Sequence, residues 1–179
     1  MVFLRVISGK YKGKKLEGFD MLGTRPTKDR VKESIFATIN YKLKDSSFLD
    51  LFSGTGSIGI EAISNGAKIS YFVDNGKEIL KALNNNLNGI DNAVVVKYDY
   101  QEALKYFENN DIKFDIIYID PPYHLNLLNK SLDLIEKYNL LNQDGIIICE
   151  YEEEIPICQY ELLKEKRYGK TNVSIYRKK

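Results

Sequence analysis

Short apolar runs alternate along the chain with stretches in which apolar residues return every three or four positions. The runs cover residues 48–52, 69–73, 93–98, 114–119 and 145–149, and each predicts a buried parallel strand. Helical spacing separates them over residues 58–65, 79–87, 103–107 and 128–135. Strands that alternate with helices predict an α/β, doubly wound, mostly parallel sheet, which places ligands at the carboxyl ends of its strands.

The two ends of the chain depart from this alternation. Residues 3–7 and 14–16 flank Gly9 and Gly13 and predict a small basic β-hairpin outside the main sheet. Pro26 and Thr27 then form a helix-start signal, and the apolar spacing that follows predicts a helix over about residues 28–43. We therefore predict an amino-terminal hairpin and helix appendage over residues 1–44, and a main domain over residues 45–179.

The carboxyl-terminal segment predicts a second hairpin. Residues 160–168 and 172–178 flank the turn Gly169-Lys170, so two final strands are expected to pair antiparallel. No internal repeat or interdomain linker interrupts the chain.

Charge is distributed unevenly along the 179 residues. The formal net charge is +1, yet residues 1–44 carry eleven Lys/Arg against four Asp/Glu, and the rest carries fifteen against twenty-one. A basic end on a neutral body is typical of polyanion binding, because phosphates neutralised by Lys and Arg release counterions. A solvated basic face is the alternative. In the first case Lys10, Lys12, Lys14 and Lys15 are expected to bind RNA.

Composition also disfavours several classes of protein. Cys149 and Cys158 match no zinc-ligand spacing, and His124 is the single histidine, so no metal is expected. No apolar run approaches the ~20 residues that a membrane span needs. We expect a reduced, cytoplasmic protein, with His124 assigned no role.

A glycine-rich loop follows the first strand of the main domain. Gly54, Gly56 and Gly59 satisfy G-x-G-x-x-G before a helix, a pattern shared by dinucleotide-binding dehydrogenases and S-adenosylmethionine-dependent methyltransferases. Asp50 favours the second class, because a carboxylate suits a sulfonium or amino group and repels a pyrophosphate.

Further acidic residues follow the next two strands. Asp74 is placed to accept from both ribose hydroxyls, and Asp99 from the adenine amino group; a helix cap or strand end is the alternative for each. The complete predicted cofactor-binding set is Asp50, Phe52, Gly54, Gly56, Gly59, Asp74, Asn75, Asp99 and Tyr100.

The string Asp120-Pro121-Pro122-Tyr123 ends the fourth strand, which lies beside the first in a doubly wound sheet. Prolines bring no N–H donors and fix φ, so carbonyl oxygens project as acceptors, which is what an exocyclic NH₂ needs. Asp120 and the Pro121 carbonyl would each accept one amino hydrogen while Tyr123 stacks on the base. Asp120 would then position the amine and stabilise developing positive charge. These four residues are the predicted catalytic set.

The chain resembles the RsmD family of small-subunit ribosomal RNA guanine-N2 methyltransferases over nearly its whole length. The resemblance rests on RVISGKYKGKKL, on TRPTKDRVKESIF (24–36), on DLFSGTGSIGIEAISNGA (50–67) and on DPPY (120–123). It implies a Rossmann-like methyltransferase fold with its catalytic domain in residues 45–179. It also implies methylation of guanine-966 of 16S rRNA with S-adenosylmethionine, on the 30S subunit or its precursors. We expect the protein to be a monomer.

The resemblance further implies that Arg25, Thr27 and Arg30 close over the methionine end of the donor or guide RNA, although Thr27 alternatively serves as a plain N-cap. Two departures stand out. The family tends to have Glu and a charged pair where this chain reads Asp74-Asn75-Gly76, and Arg where Asn65 sits.

Three rival functions remain open at the level of sequence. An adenine-N6 methyltransferase would use the same pair of acceptors. A nicotinamide-dependent oxidoreductase would use the glycine loop but leave Asp50 and residues 120–123 unexplained. An RNA-binding assembly factor without activity is the third.

Overall fold

The structure is a computed structural model that describes residues 3–18 and 29–179. In chain order its elements are β1 (Phe3–Arg5), β2 (Lys15–Glu17), α1 (Asp29–Leu43), β3 (Ser47–Asp50), α2 (Ser57–Ser64), β4 (Ile69–Val73), α3 (Lys77–Asn86), β5 (Ala93–Val96), α4 (Tyr100–Asn109), β6 (Phe114–Ile119), α5 (Leu127–Lys137), β7 (Leu141–Tyr151), β8 (Glu161–Tyr168) and β9 (Thr171–Arg177).

The main sheet has seven strands in the order β5-β4-β3-β6-β7-β9-β8. Its first five strands are parallel, and β9 pairs antiparallel with both β7 and β8. The strand order reverses between β3 and β6, which is the position where doubly wound sheets bind ligands. The predicted α/β sheet and its antiparallel carboxyl-terminal hairpin are confirmed.

Side chains alternate between two cores because successive residues of a strand point to opposite faces of the sheet. Ile116 and Tyr118 of β6 face a core shared with α1 and α2, whereas Ile117 and Ile119 face a core shared with α4 and α5. Both faces are therefore covered, as uninterrupted apolar strands require.

Helix α1 covers part of one face of this sheet. Its buried residues Val31, Ile35, Phe36, Ile39 and Leu43 belong to the same apolar cluster as the buried side chains of β3, β6 and β7. The helix thus shares its core with the main domain. The division of the chain at residue 44 stays a prediction.

Strands β1 and β2 form a separate two-stranded antiparallel sheet, as predicted. Val6 and Leu16 are buried against α2 and α3. Buried Asn86 of α3 accepts from the Glu17 N–H (2.7 Å) and donates to the Glu17 and Thr55 carbonyls (3.0 and 2.9 Å). The hairpin is therefore joined through one amide to the loop before α2.

Strand boundaries differ from the predictions at several places, and β3 and β7 show why. Strand β3 ends at Asp50 because residues 51–56 already turn into the glycine loop, and β7 extends over eleven residues because it pairs with β6 and β9 on its two sides. Within the described part of the chain, no helix is long and apolar enough to cross a membrane.

Candidate active site

A cleft of about 540 Å³ opens at the carboxyl ends of β3, β4, β5 and β6. Its volume lies within the range of small-molecule sites, about 300–1,000 Å³. The predicted site residues that line it are Asp50, Phe52, Gly54, Asp74, Asn75, Asp99, Tyr100, Asp120, Pro121, Pro122 and Tyr123. Four strand ends thus bring the predicted donor residues and the predicted acceptor residues to one cavity.

Two of the three loop glycines stand behind the cleft rather than in its wall. At Gly56 φ is 91°, in the left-handed region, and an added Cβ would lie 2.5 Å from Leu83 Cδ1. A Cβ on Gly59 would lie 2.4 Å from Phe72 Cε1. Glycine at these positions lets α2 pack closely on β4. Gly54, with open space around it, is the glycine that lines the cavity.

Asp50 forms the floor of the cleft at the end of β3. It is 1% exposed, and its Oδ2 accepts a hydrogen bond from the Gly59 N–H (3.1 Å). Burial raises the pKa of Asp50 to about 7; the Gly59 N–H opposes this rise and the charge of Asp74 adds to it. A cationic ligand in the cleft would favour the ionised form of this carboxyl group.

Asp74 shapes the loop at the end of β4. Its Oδ2 accepts from the Gly54 N–H (3.1 Å) and its Oδ1 from the Gly76 N–H (2.9 Å), and burial raises its pKa. A carboxylate has about four lone-pair sites, so the three backbone N–H groups of Gly54, Asn75 and Gly76 leave it capacity for a hydroxyl donor. Asn75 beside it is exposed at the rim.

Asp99 and an aromatic pair close the far end of the cleft. Asp99 is the N-cap of α4, as the alternative interpretation has it, and its Oδ1 accepts from the Glu102 N–H (2.9 Å). Its Oδ2 takes no part in this capping bond. The rings of Phe52 and Tyr100 lie 5.6 Å apart and are tilted by 35°. Flat apolar surfaces beside a carboxylate suit a purine with an exocyclic amine.

Residues 120–123 form the wall next to Asp50. Asp120 directly follows β6 and is half-buried, Pro121 is buried, Pro122 is exposed and Tyr123 is half-buried. Since β6 lies beside β3, with Tyr118 opposite Asp50, this wall faces the glycine loop across the cleft.

A group of acids surrounds Asp120. Burial raises the pKa of Asp120 well above its ordinary value, and the charges of Glu150, Asp50 and Glu152 raise it further. Glu150 is buried and accepts a hydrogen bond from the Tyr118 hydroxyl; burial also raises its pKa. Carboxylates of this group, where ionised, would complement a cationic donor.

Several lining residues were not predicted from sequence. They are Leu4, Leu51, Ser53, Thr55, Ser57, Ile58, Val73, Gly76, Ile79, Tyr98, Tyr118 and Leu127. Leu4 comes from the amino-terminal hairpin, which therefore contributes to the cleft itself. The four glutamates within residues 150–154 were also missed, although their position after an apolar run was the same signal that identified Asp74, Asp99 and Asp120.

The predicted RNA-binding residues lie on two segments. Lys10, Lys12 and Lys15 are exposed on the hairpin, whereas Lys14 is half-buried and donates to the Asn88 carbonyl (3.0 Å). Arg30 is exposed in the first turn of α1. Arg25 and Thr27 lie outside the described residues.

The residues of the cleft fit S-adenosylmethionine. The carboxyl groups of the cleft are of the kind that suits the cationic centres and ribose hydroxyls of this donor, and the Phe52–Tyr100 pair offers flat apolar surface that suits an adenine. In the described part of the chain, no group of His, Cys, Asp and Glu could hold a metal ion. Fold and site together define an S-adenosylmethionine-dependent methyltransferase.

Comparisons with known proteins agree with this class. The family model described as "Conserved hypothetical protein 95" matches residues 4–177, and the chain belongs to this family, the RsmD family. "Ribosomal RNA small subunit methyltransferase D" of Haemophilus influenzae is 34% identical over 97% of this chain and 93% of its own length.

Two further matches cover the chain almost completely. "Putative rRNA methyltransferase YlbH" of Bacillus subtilis is 36% identical over 98% of this chain and its own full length. The solved structure of "Putative methyltransferase yhhF" from Escherichia coli superposes with a TM-score of 0.86 at 27% identity, covering 99% of both chains.

Proposed function

We propose that this protein transfers a methyl group from S-adenosylmethionine to the N2 amine of a guanine in 16S ribosomal RNA. The observation that carries the proposal is the wall of residues 120–123, which faces the glycine loop across one cleft. Family membership and the name of the Haemophilus influenzae relative support ribosomal RNA as substrate. Guanine-966 is the position that we propose within it.

The chemistry that we propose begins with the acceptor amine. Asp120 and the Pro121 carbonyl each accept one amino hydrogen, so the nitrogen lone pair is directed towards the donor. The bond from carbon to sulfur breaks as the bond from nitrogen to carbon forms, and the amine then becomes acidic. Asp120, whose pKa is raised by burial and by its acidic neighbours, is suited to take the released proton.

The donor supplies an activated methyl group, and the residues of this chain hold it. In this proposal Asp50 binds the cationic amino acid end, Asp74 the ribose, and Asp99 with the Phe52–Tyr100 pair the adenine. Asp120 also stabilises the positive charge that passes to the nitrogen. Asn75 contacts the donor at the exposed rim.

We further propose that the substrate is RNA within the 30S subunit or one of its assembly intermediates, and that the protein acts as a cytoplasmic monomer. The exposed lysines of the hairpin would bind the RNA backbone together with Arg25 and Arg30. Leu4 supports this arrangement, since the hairpin that carries the lysines also lines the cleft.

Methyl transfer to naked 16S rRNA and to 30S particles from a strain lacking the enzyme tests the proposal. We expect N2-methylguanosine by nucleoside mass spectrometry, and we expect Asp120→Ala to abolish it while S-adenosylhomocysteine still binds within about threefold of wild type. Calorimetry measures that binding.

Different products would identify the rival functions. Detection of N6-methyladenosine would identify adenine, rather than guanine, as the target base. If the protein binds NADH but does not bind S-adenosylhomocysteine, methyl transfer is excluded. A deletion strain that is complemented equally well by Asp120→Ala would favour an assembly role without catalysis.

A further inference from the structure

The strand next to the catalytic wall ends in a run of acids. Strand β7 pairs in parallel with β6, and Ile119 lies opposite Cys149, so Asp120 and Glu150 follow side by side. Glu152 is the first residue after β7 and is half-buried. Because β7 and β3 lie on opposite sides of β6, Glu152 lies on the side of Asp120 that faces away from β3.

A small groove joins this acidic end to the catalytic wall. Its lining includes Pro121, Pro122 and Tyr123 of the wall and the acids Glu150, Glu152, Glu153 and Glu154. The same three residues of the wall also line the donor cleft. A base whose amine lies at Asp120 would therefore extend its adjoining ring atoms towards the groove.

The neighbouring glutamates serve the local structure. Glu150 accepts from the Tyr118 hydroxyl, and Glu154 accepts from the Leu128 and Asn129 N–H groups (3.1 and 2.8 Å) at the start of α5. Glu153 is 80% exposed and lies 3.5 Å from His124. The charge of Glu152 raises the pKa of both Asp120 and Glu150, so its carboxylate lies near these two acids.

Guanine and adenine differ in the atoms beside their amines. The N2 amine of guanine is flanked by N1–H, a donor, and by N3. The N6 amine of adenine is flanked by N1 and, across C5, by N7, which are both acceptors. A carboxylate accepts from a donor and repels an acceptor lone pair, so an acidic groove beside the amine site favours guanine.

We propose that Glu152 determines the base specificity of this enzyme by accepting a hydrogen bond from N1–H of the target guanine. The inference rests on the proposed function, because it takes the acceptor amine to be held at Asp120. Loss of this bond leaves a donor of the substrate unpaired, which is the kind of change that discriminates strongly between similar ligands.

The test compares guanosine with 2-aminopurine at the target position of a short 16S rRNA substrate. The analogue keeps the 2-amino group, but its N1 carries no hydrogen and is an acceptor. We expect wild type to prefer guanosine in kcat/KM by about 100-fold. Glu152→Ala should reduce methylation of guanosine by about 10- to 100-fold and change that of 2-aminopurine by less than about threefold, so the preference largely disappears.

Glu153→Ala is the matched control: Glu153 lines the same groove, but its carboxylate is 80% exposed and lies beside His124, so the variant should keep the preference for guanosine. Binding of S-adenosylhomocysteine reports that each variant is folded. An equal loss with both substrates in Glu152→Ala, or an unchanged preference, would refute the role of Glu152. Failure of wild type to methylate guanosine would instead refute the proposed function.

Discussion

At the scale of single residues, Asp50 connects donor binding to the stability of the empty protein. Its carboxyl group ionises with a pKa of about 7 in the fold but at its ordinary pKa of 3.8 in the unfolded chain. Between these values the unfolded state releases a proton that the folded state retains, so the fold loses stability as pH rises from about 4 to about 7. The loss attributable to Asp50 is about 4 kcal/mol above pH 7.

Asp50→Asn should remove this ionisation. We expect the ligand-free variant to be more stable than wild type by about 1–3 kcal/mol at pH 8, with a smaller decrease in stability between pH 4 and pH 7. Donor affinity should fall at least about tenfold, because an amide lacks the charge that meets a cationic ligand. Urea unfolding across this pH range and calorimetry measure both effects; an unchanged pH dependence would show that other acids titrate.

The sequence predicted single residues well where one strand end specified one side chain. Asp50 lies within one apolar run, Asp74 and Asp120 follow two others, and all three line the cleft. The roles of Gly56 and Gly59 were harder to predict from sequence, because the side chains next to them, Leu83 and Phe72, belong to elements distant in the chain. Glu152 was missed for a similar reason: its meaning depends on the pairing of β7 with β6.

At the scale of elements, the close packing of α2 on β4 depends on Gly59. Gly59→Ala would place its Cβ 2.4 Å from Phe72 Cε1, and the same residue donates its N–H to Asp50. We expect a loss of about 1–3 kcal/mol in stability, together with weaker donor binding because the floor of the cleft shifts. Thermal unfolding and calorimetry measure the two effects.

A second substitution separates this clash from other causes. Phe72→Leu replaces the ring that the new methyl group contacts by a shorter side chain. Gly59→Ala should therefore cost less stability in the Phe72→Leu background, and a double-mutant cycle measures this difference. Strict additivity of Gly59→Ala and Phe72→Leu would argue against the clash.

The existence and type of the helices and strands could be predicted because periods of 2 and 3.6 residues arise from local geometry. Boundaries were less predictable where pairing decided them: β7 is long because it has neighbours on both sides, and β3 is short because its chain turns at the loop. The packing of α1 on the main sheet likewise depends on contacts with β6 and β7 rather than on its own spacing.

At the scale of the whole molecule, Asn86 joins the basic hairpin to the loop of the donor cleft. Asn86→Ala would leave the Glu17 N–H and the Thr55 carbonyl without this partner. We expect a destabilisation of about 2–3 kcal/mol, because buried polar groups lose their hydrogen bonds. Asn85→Ala, on the adjacent and exposed residue, should change stability by less than about 0.5 kcal/mol. Chemical unfolding compares the two, and similar losses would contradict the proposed bridge.

The basic amino-terminal hairpin lies next to the cleft, because its residue Leu4 lines the cavity. The lysines of the same hairpin are therefore placed to act on a substrate in the cleft. Replacing Lys10, Lys12 and Lys15 by Ala should therefore weaken RNA binding and reduce its dependence on salt. The logarithmic slope should fall by about 0.7–0.9 for each phosphate that the variant no longer neutralises. Lys14 should contribute less to binding, since it already donates to the Asn88 carbonyl.

A charge-matched variant distinguishes the hairpin from the rest of the basic surface. Ala at Lys105, Lys113 and Lys130, which are exposed on or near α4 and α5, removes the same charge elsewhere and should keep the wild-type slope. Titration of labelled RNA at several ionic strengths measures the slopes. Equal slopes for the two triple variants would mean that the hairpin does not bind the RNA backbone, because long-range charge alone would then account for the dependence on salt.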